Sequence, residues 1–476
     1  MNKPRGTALV SGKFKVIHSG HIRLFKLARE LAQELVVALD ATGLDSSDIT
    51  WRLKALESID FVSRVLTYTS DIEQVLLNER PDIVVKGSEF SQALNLEEKV
   101  LAQWGGRLIF SSGDSFFSEK DMIGSPYVDS NVKRFPLPLD FMQRHEITSP
   151  RLIEILGAFR EVNVCVIGDL IIDEFINCHP LGMSQEEPTI VVTPIDKRRF
   201  LGGAGIVAAH CASLGARTTL LTIRGEDEAG QWSATQAKEY AIEMIALVDS
   251  TRPTTLKQRF RSGSQTLLKL THLRQENISS DLEFKLLETF KSKMSNFDLI
   301  IFSDFSYGVL TKKVTEEILC DAKEAEIFVA SDSQSSSQIG DLSRFGFSDL
   351  ITATEREARL ELKDENSGLV VLSEKLRFKL NAENLLLKLG GDGVMIHGTS
   401  ESGMMLATDQ VPALNDAFVD TSGAGDSLLA TAALSLASSA TIYEATLLGS
   451  LVAAIQVGRI GNTPITSSSV SELLHQ

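Results

Sequence analysis

The sequence predicts an α/β protein built as two doubly wound parallel sheets in series. Three observations predict it. First, short β-rich runs alternate with helical stretches from the N-terminus to about residue 123; parallel strands need a long crossover between them, and a helix is the usual one. Second, the alternation stops over 124–150, GSPYVDSNVKRFPLPLDFMQRHEITSP, where four prolines and the lack of a period read as a linker. Third, it resumes at NVCVIGDLIID and runs to the C-terminus. A chain of 476 residues also exceeds one ordinary core. The expected division is 1–123, linker 124–150, and 151–476.

In the first half, TALVSG, LVVALD, RVLTYT, DIVVKG and GRLIFSS are short Val/Ile/Leu-rich runs bounded by polar or Gly residues, hence strands. HIRLFKLARELAQE, DIEQVLLNE and LEEKVLAQW carry apolar residues at helical spacing. In the second half, TTLLTI, DLIIFSD, EIFVASD and NLLLKL read as strands. GIVAAHCASLGA, TEEILCDAKEA and the stretch opened by Asp426 read as helices. Unbroken apolar strands imply a sheet buried on both faces. Each half opens with a strand–turn–helix carrying Gly, where α/β sheets hold their ligands.

A net charge of −16 argues against general nucleic-acid binding, since a polyanion would be repelled over most of the surface. A local basic pocket for a phosphorylated metabolite is compatible with it. Cys165, Cys178, Cys211 and Cys320 form no CxxC pair and read as buried packing thiols of a reducing cytosol. Neither a signal peptide nor a run near the roughly 18 apolar residues of a membrane span is visible. The expectation is a cytoplasmic protein with no membrane partner.

The stretch FVDTSGAGDS places Gly423, Ala424 and Gly425 before Asp426 at the start of an apolar helix. A helix start offers unpaired N–H groups and the positive end of the dipole, and small residues let an anion approach them. A carboxylate there can accept a proton from a hydroxyl attacking phosphorus; alternatively it caps a core helix at a Gly turn. VIGDLIIDEF, RFLGGAGIVAAHCASLGA and LKLGGDGVMI lie upstream in that order. With them, the chain from about residue 158 onward resembles the ribokinase family of sugar kinases. SQEEPTIVV, RPTTLKQRF, FSDFSYGVLT and AAIQVGRIGN bring it closest to the heptose-phosphate kinase branch.

That resemblance implies a ribokinase-like α/β/α sandwich with a small β lid, and a site that uses ATP and Mg²⁺. Asp426 would be the base and the amides of Gly423, Ala424 and Gly425 the anion hole. Asp169, Asp173, Gly202 and Gly203 would hold the sugar. Lys257 and Arg259 would meet a phosphate already on the substrate, or else be two solvated strand residues. Gly390, Gly391, Gly393 and Thr421 would border ATP. Glu357 would organise Mg²⁺ through water, or else be a surface glutamate of its helix. Three positions depart from the family: Ile206 for Asn, Thr354 for Asn, and Gln334 for Lys. The first removes a polar contact to the sugar, which bears on substrate choice more than on the reaction.

Near the N-terminus, SGKFKVIHSGHIRLF sets His18 and His21 around Gly20, just after the first strand. Two imidazoles at a helix start can donate hydrogen bonds to phosphate oxygens; a fragment of a metal site or a helix cap are the other readings. With LKALESIDFVSRVL, PDIVVKGSEF and WGGRLIFSSGDSFFS, this half resembles the cytidylyltransferase-like superfamily, whose Rossmann-like fold joins ATP or CTP to a sugar phosphate. Gly12, Phe14, Gly20, Ser115 and Ser118 would then line the nucleotide. Lys15 stands in place of the usual Asp, and the acidic DATGLDSSDIT replaces a basic loop, an electrostatic mismatch for a triphosphate.

Taken whole, the chain resembles the bifunctional enzymes of ADP-heptose synthesis, with the domain order inverted. Three readings stay open: both halves active, an active kinase with a degenerate N-terminal binding or dimerising domain, and a non-enzymatic metabolite sensor. The family likeness also implies a homodimer through the kinase domain.

Overall fold

The computed structural model describes residues 6–14, 19–69, 71–87, 96–111, 135–262, 265–334, 340–399, 406–415 and 419–475. The chain forms two compact units, Met1–Asn131 and Val132–Gln476.

The first unit alternates β1 (Thr7–Gly12), α1 (Ser19–Leu31), β2 (Glu34–Asp40), α2 (Ser46–Glu57), β3 (Arg64–Tyr68), α3 (Ile72–Glu79), β4 (Ile83–Gly87), α4 (Leu96–Leu101) and β5 (Arg107–Ser111). All strands are parallel, in the order β3-β2-β1-β4-β5. Ala8 and Val10 of β1 pack with Phe25 of α1 and Leu56 of α2, whereas Leu9 between them packs with Leu76 of α3 and Leu101 of α4. Period-2 alternation thus feeds two cores, one per face. The order reverses between β1 and β4, so their carboxyl ends flank the crevice where such sheets bind ligands. The acidic stretch DATGLDSSDIT is a short turn after β2 whose last five residues, Ser46–Thr50, already belong to α2. Asp45 caps α2 by accepting from the Asp48 N–H at 2.8 Å, a local preference of Asp ahead of a helix.

The second unit starts inside the stretch read as linker. There α5 (Leu139–Arg144) and α6 (Ser149–Ala158) precede the sheet, and Phe141, Met142 and Ile147 are buried in its core. Pro150 sits in the first turn of α6, where its missing N–H costs nothing. The strands are β6 (Asn163–Gly168), β7 (Leu170–Met183), β8 (Ile190–Gly203), β9 (Arg217–Arg224), β10 (Glu243–Val248), β11 (Thr255–Ser262), β12 (Gln265–His272), β13 (Leu299–Asp304), β14 (Phe328–Ser333), β15 (Leu350–Thr354), β16 (Asn384–Lys388), β17 (Val394–Thr399) and β18 (Leu406–Val411). Among the described residues they make a nine-stranded sheet, β10-β9-β6-β13-β14-β15-β16-β17-β18, and a four-stranded sheet, β12-β11-β7-β8. The large sheet is parallel up to β16 and antiparallel after it.

Its helices are α7 (Ala204–Leu214), α8 (Glu228–Glu239), α9 (Ser280–Lys293), α10 (Lys312–Glu324), α11 (Glu355–Leu362), α12 (Leu369–Leu380), α13 (Ala424–Ala437), α14 (Ile442–Val457) and α15 (Ser467–Leu474). On one face, Val164, Val166, Leu299 and Ile301 pack with α7, α13 and α14; on the other, Cys165, Ile167, Ile300 and Phe302 pack with α9 and α10. The apolar helices α13 and α14 pack against each other and lie almost wholly buried, which explains why they show no polar face. β7 is buried from Leu170 to Cys178 apart from half-buried Asn177, and β8 only over Leu201–Gly203, while the far end of β7 and most of β8 are exposed, so the small sheet projects beyond the core. Cys165, Cys178 and Cys211 are buried as expected, but Cys320 is exposed on α10. No helix among the described residues is long and apolar enough to cross a membrane.

Candidate active site

A cavity of about 590 Å³ opens in the second unit where α13 begins. Gly423 turns the chain into the helix with φ +77°, and a Cβ there would stand 2.5 Å from Asn462 Oδ1, so the turn requires glycine. No side chain caps α13. The Ala424 N–H makes a long 3.4 Å bond to the Thr421 carbonyl, which partly engages one of the three amides expected to bind an anion. The loop is held from two sides. Asp420 accepts from the Ser422 and Gly461 N–H groups at 3.0 and 3.2 Å, and Gln456 Nε2 donates to the carbonyls of Ser422 and Gly461 at 3.1 and 2.9 Å.

Asp426 lies in the first turn of α13, 6% exposed, and lines the cavity. Its Oδ1 accepts from Gln334 Nε2 at 2.8 Å, and the same nitrogen donates to Asp332 Oδ2 at 3.2 Å. Asp332 Oδ1 in turn accepts from Lys388 Nζ at 2.7 Å and Thr352 Oγ1 at 2.9 Å. Burial, then the charge of Asp332, pushes the Asp426 carboxyl up to about 7, against the pull of Lys388. A buried carboxyl that titrates near neutrality can exchange a proton with a bound hydroxyl.

On the lid side, Asp173, Gly203, Lys257 and Arg259 line the cavity. Lys257 pairs in register with Asp173 across β11 and β7. Its Nζ lies 4.8 Å from the Phe305 ring centre, and Arg259 donates to Ser422 Oγ at 2.8 Å. These are cavity residues rather than solvated strand residues. Asp173 accepts from Asn462 Nδ2 at 3.1 Å; burial raises its carboxyl, while Arg259 and Lys257 lower it. Gly202 does not line the cavity; a Cβ there would stand 2.5 Å from Asp173 Oδ2, so its bareness makes room for that carboxylate.

Asp169 departs from expectation. It too is absent from the cavity wall, because its oxygens accept from the N–H groups of Phe305, Tyr307 and Val309 at 2.8, 3.1 and 3.3 Å. A carboxylate with three amide donors pins the 305–309 loop and has little left for a sugar. Ile206, in the first turn of α7, is fully buried in the core and not at the wall.

Opposite the lid, Gly390, Gly391 and Gly393 line a slot with Pro412, Leu414, Ala453 and Val457, and Thr421 lies nearby on the wall. Gly393 has φ +91°, and a Cβ there would meet the Val411 carbonyl at 2.1 Å. The apolar walls suit a flat ring. Glu357 also lines the cavity, and at 7% exposed it is not a surface glutamate. It forms a capping box with Thr354: Glu357 Oε2 accepts from the Thr354 N–H at 2.7 Å, and Thr354 Oγ1 from the Glu357 N–H at 3.2 Å.

In the first unit, Gly12 ends β1, and Gly20 and His21 lie in the first turn of α1. Phe14 is 3% exposed and packs edge-on to His21, ring centres 5.2 Å apart. It is therefore a core residue supporting His21 rather than an open wall for a nucleotide. His18, Lys15, Ser115 and Ser118 fall outside the described residues.

Sequence reasoning missed Lys388, Asn462, Gln456 and Asp420. All four lay inside quoted segments, but nothing local distinguishes them. Their partners are tens to hundreds of residues away.

A family model described as pfkB family carbohydrate kinase matches residues 162–468. The chain is similar to the bifunctional protein HldE of Caulobacter sp., 32% identical over 329 residues, covering 68% of this chain and 65% of that protein. It is likewise similar to the bifunctional protein HldE of Pelobacter propionicus, 29% identical over 322 residues, 66% of this chain and 64% of that protein. The chain thus spans just under two-thirds of the length of these relatives. Among solved structures, ribokinase from Thermotoga maritima matches with a TM-score of 0.51 at 20% identity, covering 66% of this chain and all of that one. Phosphofructokinase-2 from Escherichia coli matches at 0.53 and 14% identity, covering 66% and 98%. At these identities the structural likeness speaks to the fold alone.

Proposed function

The chain belongs to the pfkB family of carbohydrate kinases, and from that premise we propose that its second unit transfers the γ-phosphoryl group of ATP to a hydroxyl of a sugar or sugar phosphate of the heptose-7-phosphate type. The observation that carries the reading is Asp426 beneath the Gly423–Gly425 amides, in one cavity with the lid cations and the Gly390–Gly393 slot. In the proposed step, the acceptor hydroxyl gives its proton to the Asp426 carboxylate. With Oδ1 bonded to Gln334, the Oδ2 atom takes it. The hydroxyl oxygen bonds to the γ-phosphorus as the bond to the β,γ-bridging oxygen breaks, and ADP leaves. The amides at the head of α13 face the charge that develops on the migrating group. Lys257 and Arg259 meet the substrate's own phosphate, and Asp173 its hydroxyls.

Magnesium fits as the companion of the ATP phosphates. Among the described residues no group of three His, Cys, Asp or Glu side chains is arranged to hold a metal, and Mg²⁺ commonly keeps its waters and takes few protein ligands. Glu357 would then reach it through water. When bound, the ion would neutralise phosphate charge.

For the first unit we propose nucleotidyl transfer from ATP or CTP to a sugar 1-phosphate, releasing pyrophosphate, with His18 and His21 on the phosphates. Support comes from the bifunctional name of the relatives and from the β3-β2-β1-β4-β5 order, since His21 follows β1, the strand at which the order reverses and sheets of this kind bind ligands. The protein would make an activated sugar in the cytoplasm. It would dimerise through the lid, whose Leu181, Ile195 and Leu268 are exposed; sedimentation would test that.

The deciding experiment offers the intact protein ATP·Mg²⁺ with seven-, six- and five-carbon sugars and their phosphates, and follows ADP. A parallel screen follows pyrophosphate from ATP or CTP with sugar 1-phosphates. ADP without pyrophosphate would leave an active kinase with a degenerate first unit; neither would leave a metabolite sensor.

A further inference from the structure

We propose that Lys388 supplies the positive charge at the point of phosphoryl transfer and, through Asp332 and Gln334, aims the Asp426 carboxylate. The proposal rests on the kinase reading of this cavity.

Lys388 is the last residue of β16, in register with Thr354 at the end of β15, so the sheet delivers it to the carboxyl edge where the cavity opens. Its Nζ lies 2.7 Å from Asp332 Oδ1 and 3.4 Å from where a Cβ on Gly425 would stand, hence directly against the amide turn. Acids converge here from separate elements: Asp332 from β14, Glu357 from α11, Asp426 from α13, with Asp173 of β7 beyond them. Lys257 of β11 faces Asp426 from the lid. A triphosphate entering among carboxylates needs a cation on the floor of the site, and Lys388 is in place to be it. Burial alone would lower its pKa, but Asp332, Glu357 and Asp426 outweigh that and hold it charged.

The second part follows from hydrogen-bond capacity. Gln334 Nε2 carries two hydrogens and faces two carboxylates, Asp332 and Asp426. With both carboxylates ionised, as in the form that takes the acceptor's proton, its carbonyl oxygen cannot face either, so the amide then has one workable orientation. Lys388 keeps Asp332 an acceptor, Asp332 sets the amide, and the amide sets Asp426. A lysine buried for stability alone would gain little over an apolar residue of similar size.

The test compares Lys388→Gln and Lys388→Met with the wild type in the full-length protein. The expected kcat loss is roughly 10²–10³-fold, with the sugar KM held within about threefold. The rising limb of kcat with pH should move to higher pH, since the cation that opposes proton uptake by Asp426 is gone. Adding Gln334→Lys to Lys388→Gln, which sets an ammonium between the same two carboxylates, should recover at least about tenfold and bring the limb back. A folded Lys388→Gln protein with unchanged kcat, or a loss with no shift of the limb and no rescue, overturns the proposal. A carboxyl ¹³C titration of Asp426, assigned by its absence in Asp426→Asn, reads the same midpoint without turnover. It should rise in Lys388→Gln, and an unmoved midpoint is equally fatal. If the wild type phosphorylates no sugar, the kinase reading fails while this titration still judges Lys388.

Discussion

Asp426 is buried with Asp332 and Asp173 as neighbours, and it holds its proton to about pH 7. Turnover that needs the carboxylate should therefore rise with pH through that value. Stability should run the other way. Between the ordinary Asp range and pH 7 the folded chain binds a proton the unfolded chain has lost, so this group's contribution falls as pH rises through about 7. Asp426→Asn should lower kcat by ~10²–10⁴-fold while nucleotide binding persists. At pH 8 it should also be more stable than wild type, on the order of 2 kcal/mol, read from thermal melts at pH 5 and pH 8. Unchanged turnover in the folded variant would remove Asp426 from the mechanism. The acid after two glycines was legible because a local motif makes it so. Asp169 and Asp173 looked alike in GDLIID, yet one pins a loop and the other faces the cavity.

Among the elements, α11 ties fold to chemistry most directly, since its capping box also holds Glu357 at the cavity. Thr354→Ala should cost about 1 kcal/mol of stability. By loosening Glu357 it should also raise the Mg²⁺ concentration for half-maximal rate; an unaltered Mg²⁺ curve would detach Glu357 from the ion. The turn into α13 is less forgiving. Gly423→Ala combines φ +77° with a 2.5 Å approach to Asn462, so turnover should fall at least about tenfold with a lower melting temperature. The parallel strands were readable because burial on both faces makes them apolar throughout. The lid strands β7 and β8 span 14 residues each, and their full length was not readable. Their outer halves lie outside the core, so no apolar period marks them.

The second unit's packing begins well before residue 151, which bears on how the chain can be cut. Phe141, Met142 and Ile147 are buried in its core, and Arg144 and His145 bond Asp409 of β18. A fragment 132–476 should keep ATP-dependent phosphorylation, while 151–476 should melt lower. Each large apolar side chain lost from a buried site removes roughly 1.5–3 kcal/mol. Equal melting temperatures for the two fragments would show that α5 is dispensable. Prolines hid this region, because they read as a break although Pro150 only starts a helix. Local pattern sufficed for the α/β class, the two-part order and the glycine turn into α13, since each follows from periodicity or from neighbours in the chain. Folding alone brought Lys388, Asp332, Gln334 and Asp426 together, removed Asp169 from the cavity and buried Ile206. Those outcomes depend on contacts between residues far apart in sequence, which no local spacing encodes.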